Sequence, residues 1–221
     1  VIKAILFDLD GTLVDSAEGI TKSASYALEH FGIKEDEEKL LKFIGPPIIE
    51  SLMTRYDFPE EKAKEGVAKY RERYNTIGLY ECKLYPDVET TIRILKARGY
   101  RVGMASSKPE ESCRRILDHF AILPLFDEVV GATFDGRINN KEQVLNEVLR
   151  RWDDLKADEM CLIGDTIFDV EGANEVGMPC VAVSFGFGDM DEMKAAGIVG
   201  SCDAMLEIPD LIDSINKGQG R

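Results

Sequence analysis

Acidic, hydroxyl and lysine side chains recur in this sequence at one kind of place, just after short apolar runs that read as strands. Asp8-Leu9-Asp10-Gly11-Thr12 follows the run 2–7, and Ser106-Ser107-Lys108 follows 101–105. Lys141 opens a helical pattern after 128–131, and Gly164-Asp165 follows 160–163, with Asp169 four residues beyond Asp165. If the runs are neighbouring parallel strands, the topology gathers these groups on one rim. Crowded carboxylates raise one another's pKa and oppose folding, so a cluster of this kind needs a reason. A divalent cation supplies one, and oxygen-only donors suit Mg²⁺, which keeps several of its waters. Hydroxyls and lysines beside the cation can take phosphate oxygens. With a spare carboxylate, the set meets the needs of phosphoryl transfer, which are charge neutralisation and in-line positioning.

The elements that must hold these groups alternate for most of the chain. After the first strand comes a wholly helical stretch, roughly 16–80. It contains a helix over 16–30 with Ser16 able to cap it, two shorter helices over 37–43 and 48–56 separated by Gly45-Pro46-Pro47, and a helix opened by Pro59. The last helix has Ala63, Val67, Tyr70, Tyr74 and Ile77 at helical spacing. From Tyr85 the reading becomes helix 87–98, strand 101–105, helix 109–120, strand 128–131, helix 141–152, strand 160–163, helix 169–176, strand 180–183, and helices 190–196 and 204–215. Such alternation predicts an α/β fold with a doubly wound parallel sheet, which binds ligands at the carboxyl ends of its strands. The helical insertion after the first strand is expected to sit over that end as a cap. The expected division is a core of 1–15 with 81–221 and a cap of 16–80.

Bulk properties narrow the partners. The net charge of −14 repels nucleic acid and anionic membrane surfaces, so neither is an expected partner. No apolar run approaches the roughly 20 residues of a membrane span, and the expected location is cytoplasmic. The five cysteines are scattered without a CxxC pair, which argues against a disulfide framework and against a zinc site. His30 and His119 stand alone at helix ends, where a dipole partner is a simpler role than ligand or base. What remains is a small phosphorylated metabolite bound by a local cationic site, in a monomer or small homo-oligomer.

Asp8-x-Asp10-Gly11-Thr12, Ser106 after an apolar strand, Lys141, and Gly164-Asp165-x-x-x-Asp169 resemble, in order, the four motifs of the haloacid dehalogenase (HAD) superfamily. The stretch 16–80 resembles that superfamily's α-helical cap, beside a Rossmann-like core. Ile44-Gly45-Pro46-Pro47, Ser107-Lys108-Pro109 and Gly186-Phe187-Gly188 resemble the phosphoglycolate-phosphatase-like subgroup. The resemblance implies that Asp8 is a nucleophile forming an aspartyl-phosphate and that Asp10 is a general acid and base. It implies Mg²⁺ held by Asp8, the Asp10 main-chain carbonyl and Asp165, with Asp169 acting through water or by orienting Asp165. Ser106, which replaces the commoner Thr, would hydrogen-bond the phosphoryl group, and Lys141 would neutralise nucleophile and phosphate. Thr12, Ser107, Lys108, Gly45 and Pro46 are the expected substrate contacts, although Lys108 also reads as a plain rim lysine and Gly45-Pro46-Pro47 as a helix breaker.

The expected activity is Mg²⁺-dependent phosphomonoester hydrolysis of phosphoglycolate type, with a nucleoside monophosphate as the alternative substrate. A β-phosphoglucomutase-type phosphomutase is disfavoured by Thr12, where mutases usually have Val, and by the lack of their His-bearing motif in 16–31. A haloacid dehalogenase would lack an equivalent of Asp10. A phospho-receiver module has an adjacent acidic pair, about half this length and no cap. Asp15 reads as a turn or capping group, and Asp87 as a helix cap where relatives have Gly. Asp169 could serve also as the N-cap of its helix. Asp135-Gly136 reads as a loop turn with Arg137 exposed.

Overall fold

The computed structural model describes residues 1–218. Six parallel strands form one sheet in the order β5-β4-β1-β6-β7-β8. They are β1 (Ala4–Phe7), β4 (Arg101–Pro109), β5 (Glu128–Ala132), β6 (Met160–Gly164), β7 (Cys180–Val183) and β8 (Gly200–Cys202). Two further short strands, β2 (Val14–Asp15) and β3 (Lys83–Leu84), pair separately. The chain builds outward from β1 through β4 to β5, then returns to the other side of β1 for β6. The loops after β1, β4 and β6 therefore lie side by side where the winding reverses, the place where open α/β sheets take ligands.

Both faces of the sheet are buried, which is why its strands are continuously apolar. Leu6, Ala105, Val130, Leu162 and Ala182 share one face with Val144, Leu145 and Val148 of α7 (Lys141–Arg151), Val170 of α8 (Ile167–Glu175) and Met193 of α9 (Met190–Ala196). Alternation sends Ile5, Phe7, Met104, Cys161 and Ile163 to the opposite face, where they too are buried. There α5 (Val88–Ala97) packs on β4 and on α10 (Ile208–Asn216), and an ion pair from Arg98 to Asp213 at 2.8 Å joins their ends. The remaining helix of this unit, α6 (Glu110–His119), runs beside β4 and β5.

Residue contacts divide the chain into two compact units, Val1–Val14 with Leu84–Arg221, and Asp15–Lys83. The second unit is helical: α1 (Ala17–His30), α2 (Glu37–Leu41), α3 (Ile48–Tyr56) and α4 (Glu60–Tyr74). Ala63, Gly66, Tyr70 and Tyr74 form the buried stripe of α4, against α1 and α3. Gly66 lets α4 approach closely there, the end of the Leu52 side chain lying where a methyl group would stand. Arg73 grips Glu81 with two nitrogens, at 2.7 and 3.0 Å. Among the described residues no helix is long and apolar enough to cross a membrane.

Several local expectations change. Ile77 lies beyond the end of α4 and is 56% exposed, so the apolar stripe stops at Tyr74. Ser16 stands at the N-cap of α1, but its buried hydroxyl has no partner, and Asp15 takes the Ala17 N–H instead, at 3.1 Å. Asp87 is no side-chain cap: it adopts the left-handed conformation, φ 63°, that glycine would adopt without penalty. Helix α8 starts at Ile167, with Thr166 rather than Asp169 as its N-cap. His30 makes a side-chain contact with Glu65 at 2.8 Å. Arg137 is exposed as expected, folded back onto Asp135.

The sheet is the structural foundation of everything at its rim. Leu162→Ala, at a fully buried position of central β6, should cost about 2–5 kcal/mol in chemical denaturation. A loss under about 1 kcal/mol would show that this layer is not the tightly packed core described.

Candidate active site

Register sets the site's geometry. Phe7 is level with Met104 of β4 and Ile163 of β6; β1 and β6 end there or one residue on, whereas β4 continues to Pro109. Asp8 stays in line, its N–H donating to the Ile163 carbonyl at 2.9 Å. The chain then turns sharply: Leu13 and Val14 both donate to the Leu9 carbonyl, and Gly11 donates to Val14. Gly11 is at φ 85°, a conformation that disfavours any side chain.

Lys141 is the hub. It is the first residue of α7, whose N-cap Asn140 accepts from the Gln143 N–H. Cations at a helix N-terminus oppose the macrodipole and need compensation. Here the ammonium contacts Asp8 Oδ1 at 2.6 Å, Asp169 Oδ1 at 2.8 Å and the Ala105 carbonyl at 2.9 Å, all buried. Burial opposes its charge, yet the carboxylates of Asp169 and Asp8 hold its pKa above the ordinary lysine range.

Asp169 is fixed by its helix. Its Oδ2 accepts from the N–H of Asp165 at 3.2 Å and from the N–H and hydroxyl of Thr166 at 3.0 and 2.9 Å. Thr166 and Asp169 thus form a reciprocal capping box. Asp165 follows β6 and is fully buried, with Oδ1 accepting from the Thr12 hydroxyl at 3.2 Å and Oδ2 from the Phe187 N–H at 2.8 Å. Asp10 turns elsewhere, its Oδ2 lying 3.0 Å from Lys108 Nζ, while its Oδ1 is buried without a hydrogen-bond partner. Ser106 is buried within β4, which continues past the expected 101–105 to Pro109, and accepts from the Lys108 N–H at 3.3 Å. Ser107 lies between them, half-buried.

The structure therefore gathers Asp8, Asp10, Thr12, Ser106, Lys108, Lys141, Asp165 and Asp169 within one unit. Lys108 is nearly buried and ion-paired, not a plain rim lysine. Thr12, expected to touch substrate, spends its hydroxyl on Asp165 and is fully buried. Gly45 and Pro46 belong to the helical unit, at the turn before α3, where Gly45 adopts φ 104°. Two participants escaped the sequence reading. The Thr166 cap was visible in principle, as the T-x-x-D pattern. The Phe187 N–H was not, because a backbone donor carries no residue signature.

Oxygens of Asp8, Asp165 and Asp169 lie within 4.8 Å of one another. Burial pushes the Asp8 carboxyl up to about 6; Lys141 opposes that shift and Asp169 adds to it. Burial, then Asp169 and Asp8, raise Asp165 well above the usual carboxylate range. Four acids here face two lysines, so the ionised site lacks two positive charges. The all-oxygen donor set of Asp8, Asp165 and Asp169 fits a hard divalent cation.

Comparison with known proteins agrees with this geometry. The family Haloacid dehalogenase-like hydrolase matches residues 5–183. A 5'-nucleotidase of Pseudomonas aeruginosa is 38% identical over 211 residues, 95% of each chain. Tyrosine-protein kinase PtkA of Mycobacterium tuberculosis is 37% identical over 188 residues, 85% of this chain and 64% of that protein. A phosphoglycolate phosphatase of Aliivibrio fischeri is 27% identical over 84% of this chain and 86% of its own. A crystal structure described as a predicted phosphatase from Clostridium acetobutylicum superposes with a TM-score of 0.90, at 38% identity, over 98% of this chain and 99% of that one.

A divalent cation should stabilise the metal-stripped protein, by about 2.7 kcal/mol at 100 times its dissociation constant. Thermal unfolding with and without chelator measures this, and the double variant Asp8→Asn/Asp165→Asn should lose the shift. An undiminished shift would place the cation elsewhere. With the acid cluster, its lysine hub and full-length relatives in agreement, the chain belongs to the haloacid dehalogenase-like hydrolases and is an enzyme of their phosphatase class.

Proposed function

We propose that this chain is a Mg²⁺-dependent phosphomonoesterase for a small phosphorylated metabolite, working through an aspartyl-phosphate on Asp8. The observation that carries this reading is the buried contact of Lys141 with Asp8 and Asp169, beside an Asp10 held separately by Lys108. Lys141 occupies Asp8 Oδ1, which leaves Oδ2 as the attacking oxygen. Its attack on phosphorus forms the acyl phosphate and breaks the ester P–O bond, while Asp10 gives its proton to the leaving oxygen. Water then attacks the same phosphorus, Asp10 takes its proton, and Asp8 is freed. Ser106 and Lys108 are the proposed partners of the phosphoryl oxygens, and Lys141 offsets the charge of Asp8 throughout.

Asp8, the Asp10 main-chain carbonyl and Asp165 are the proposed Mg²⁺ ligands. Both oxygens of Asp169 are already engaged, which supports a role through water or through Asp165. Bound there, the ion would neutralise phosphate charge and favour the ionised nucleophile.

For the substrate, the sequence reading put phosphoglycolate first. The higher identity to a 5'-nucleotidase, over nearly the whole of both chains, favours a nucleoside 5'-monophosphate. Specificity constants on a panel of nucleoside monophosphates, phosphoglycolate and sugar phosphates with Mg²⁺ should rank the nucleotides first. Phosphoglycolate at the head of that ranking would restore the earlier reading. The kinase-named relative suggests a further control, in which labelled ATP should leave protein tyrosine unlabelled.

Two substitutions test the chemistry. Asp8→Asn should abolish turnover of p-nitrophenyl phosphate with the fold intact by circular dichroism. Asp10→Asn should slow turnover by about 10²–10⁴. Substantial turnover by Asp8→Asn would rule out the covalent route, and an unchanged rate in Asp10→Asn would remove it from proton transfer.

A further inference from the structure

The motif Gly186-Phe187-Gly188 follows β7 and has no part in the chemistry above. Its surroundings give it one. The Phe187 N–H reaches Asp165 Oδ2 at 2.8 Å, and the opposite oxygen takes the Thr12 hydroxyl at 3.2 Å. A methyl group at Gly186 would overlap the Asp165 side chain and the Gly11 carbonyl. One at Gly188 would overlap the Asp165 carbonyl, and one at Gly11 the Asp165 carboxylate. Gly11 and Gly186, from two loops, thus leave room for the Asp165 side chain, and Gly188 leaves room for its backbone carbonyl.

Asp165 also differs from its acidic neighbours in what holds it. Lys141 pairs with Asp8 and Asp169, whereas the hydrogen bonds to the Asp165 carboxylate come from a neutral hydroxyl and a neutral peptide. Neutral donors fix direction without cancelling charge. The loops themselves are anchored to each other: the Tyr85 N–H donates to Leu13 at 3.0 Å, and its ring packs on Phe185 at 4.8 Å.

We infer that Gly186-Phe187-Gly188, with Gly11 and Thr12, is the positioning element for Asp165, holding its carboxylate aimed at a divalent cation while leaving its charge for that cation to neutralise. This rests on the reading of Asp165 as a cation ligand. Gly186 and Thr12 are positioning residues, acting through Asp165 and not on the substrate. Partners of this kind, when removed, weaken metal binding by about 10–100-fold.

The test is calorimetric titration of Mg²⁺ into the metal-stripped full chain without substrate. Gly186→Ala and Thr12→Val should each weaken binding about 10–100-fold, and Thr12→Ser, which keeps the hydroxyl, should bind close to the parent. Thermal unfolding in chelator should show each variant folded, and the Thr12 pair carries the test alone if Gly186→Ala does not fold. Parental affinity in both Gly186→Ala and Thr12→Val would overturn the inference, as would equal losses in Thr12→Ser and Thr12→Val. An Asp165→Asn arm separates the two layers. If it binds Mg²⁺ as the parent does, Asp165 is no ligand and the underlying reading falls too; if it alone loses affinity, only the positioning role falls.

Discussion

Buried acids repel one another, and this site concentrates them. Asp8, Asp165 and Asp169 bring oxygens within 4.8 Å at the carboxyl ends of adjacent strands, almost wholly out of water. A single ammonium, that of Lys141, reaches two of the three. Desolvation disfavours the ionised forms of Asp8 and Asp165, and the nearby charge of Asp169 compounds it. Much of the surrounding structure answers that cost. The start of α7 delivers Lys141, the peptides of Asp165 and Thr166 just before α8 donate to Asp169, and the loop after β7 meets Asp165. What these devices leave uncancelled suits a divalent cation, and the same arrangement leaves one oxygen of Asp8 outside the grip of its lysine.

Asp10 is handled differently, as its proposed duty requires. A nucleophile should stay ionised, whereas a group that first donates and then accepts a proton must change state in each turnover. Asp10 is turned away from Lys141, paired with Lys108 and left with one oxygen unpartnered. Two carboxylates two residues apart thus occupy distinct environments, which is how a single loop can supply both a nucleophile and an acid–base group.

The sequence carried the sheet and most of the site, because both depend on patterns that survive in one dimension. Continuous apolar runs mark strands buried on both faces, and a parallel sheet sends their ends to one rim, so Asp8, Ser106 and Asp165 could be grouped beforehand. Helix bounds at α3 and α9, and strand β7, read true for the same reason. Strand β8 escaped because three residues, Gly200-Ser201-Cys202, carry too little pattern. Lys108 could not be aimed, since the pairing of β4 with β5 shifts register between Ser106 and Pro109 and side-chain alternation fails there. The left-handed backbone of Asp87 and the peptide donor of Phe187 depend on conformation, not on residue type. The Thr12 hydroxyl was legible as a polar group but not in its direction, which is set by the turn at Gly11.

The account stands or falls on where a phosphoryl group lands. Beryllofluoride mimics that group and attaches to an aspartyl oxygen. A crystal structure with Mg²⁺ and beryllofluoride should show density continuous with Asp8 Oδ2, with the ion between it and Asp165. Beryllofluoride bound to another side chain, or an ion held away from both acids, would contradict it.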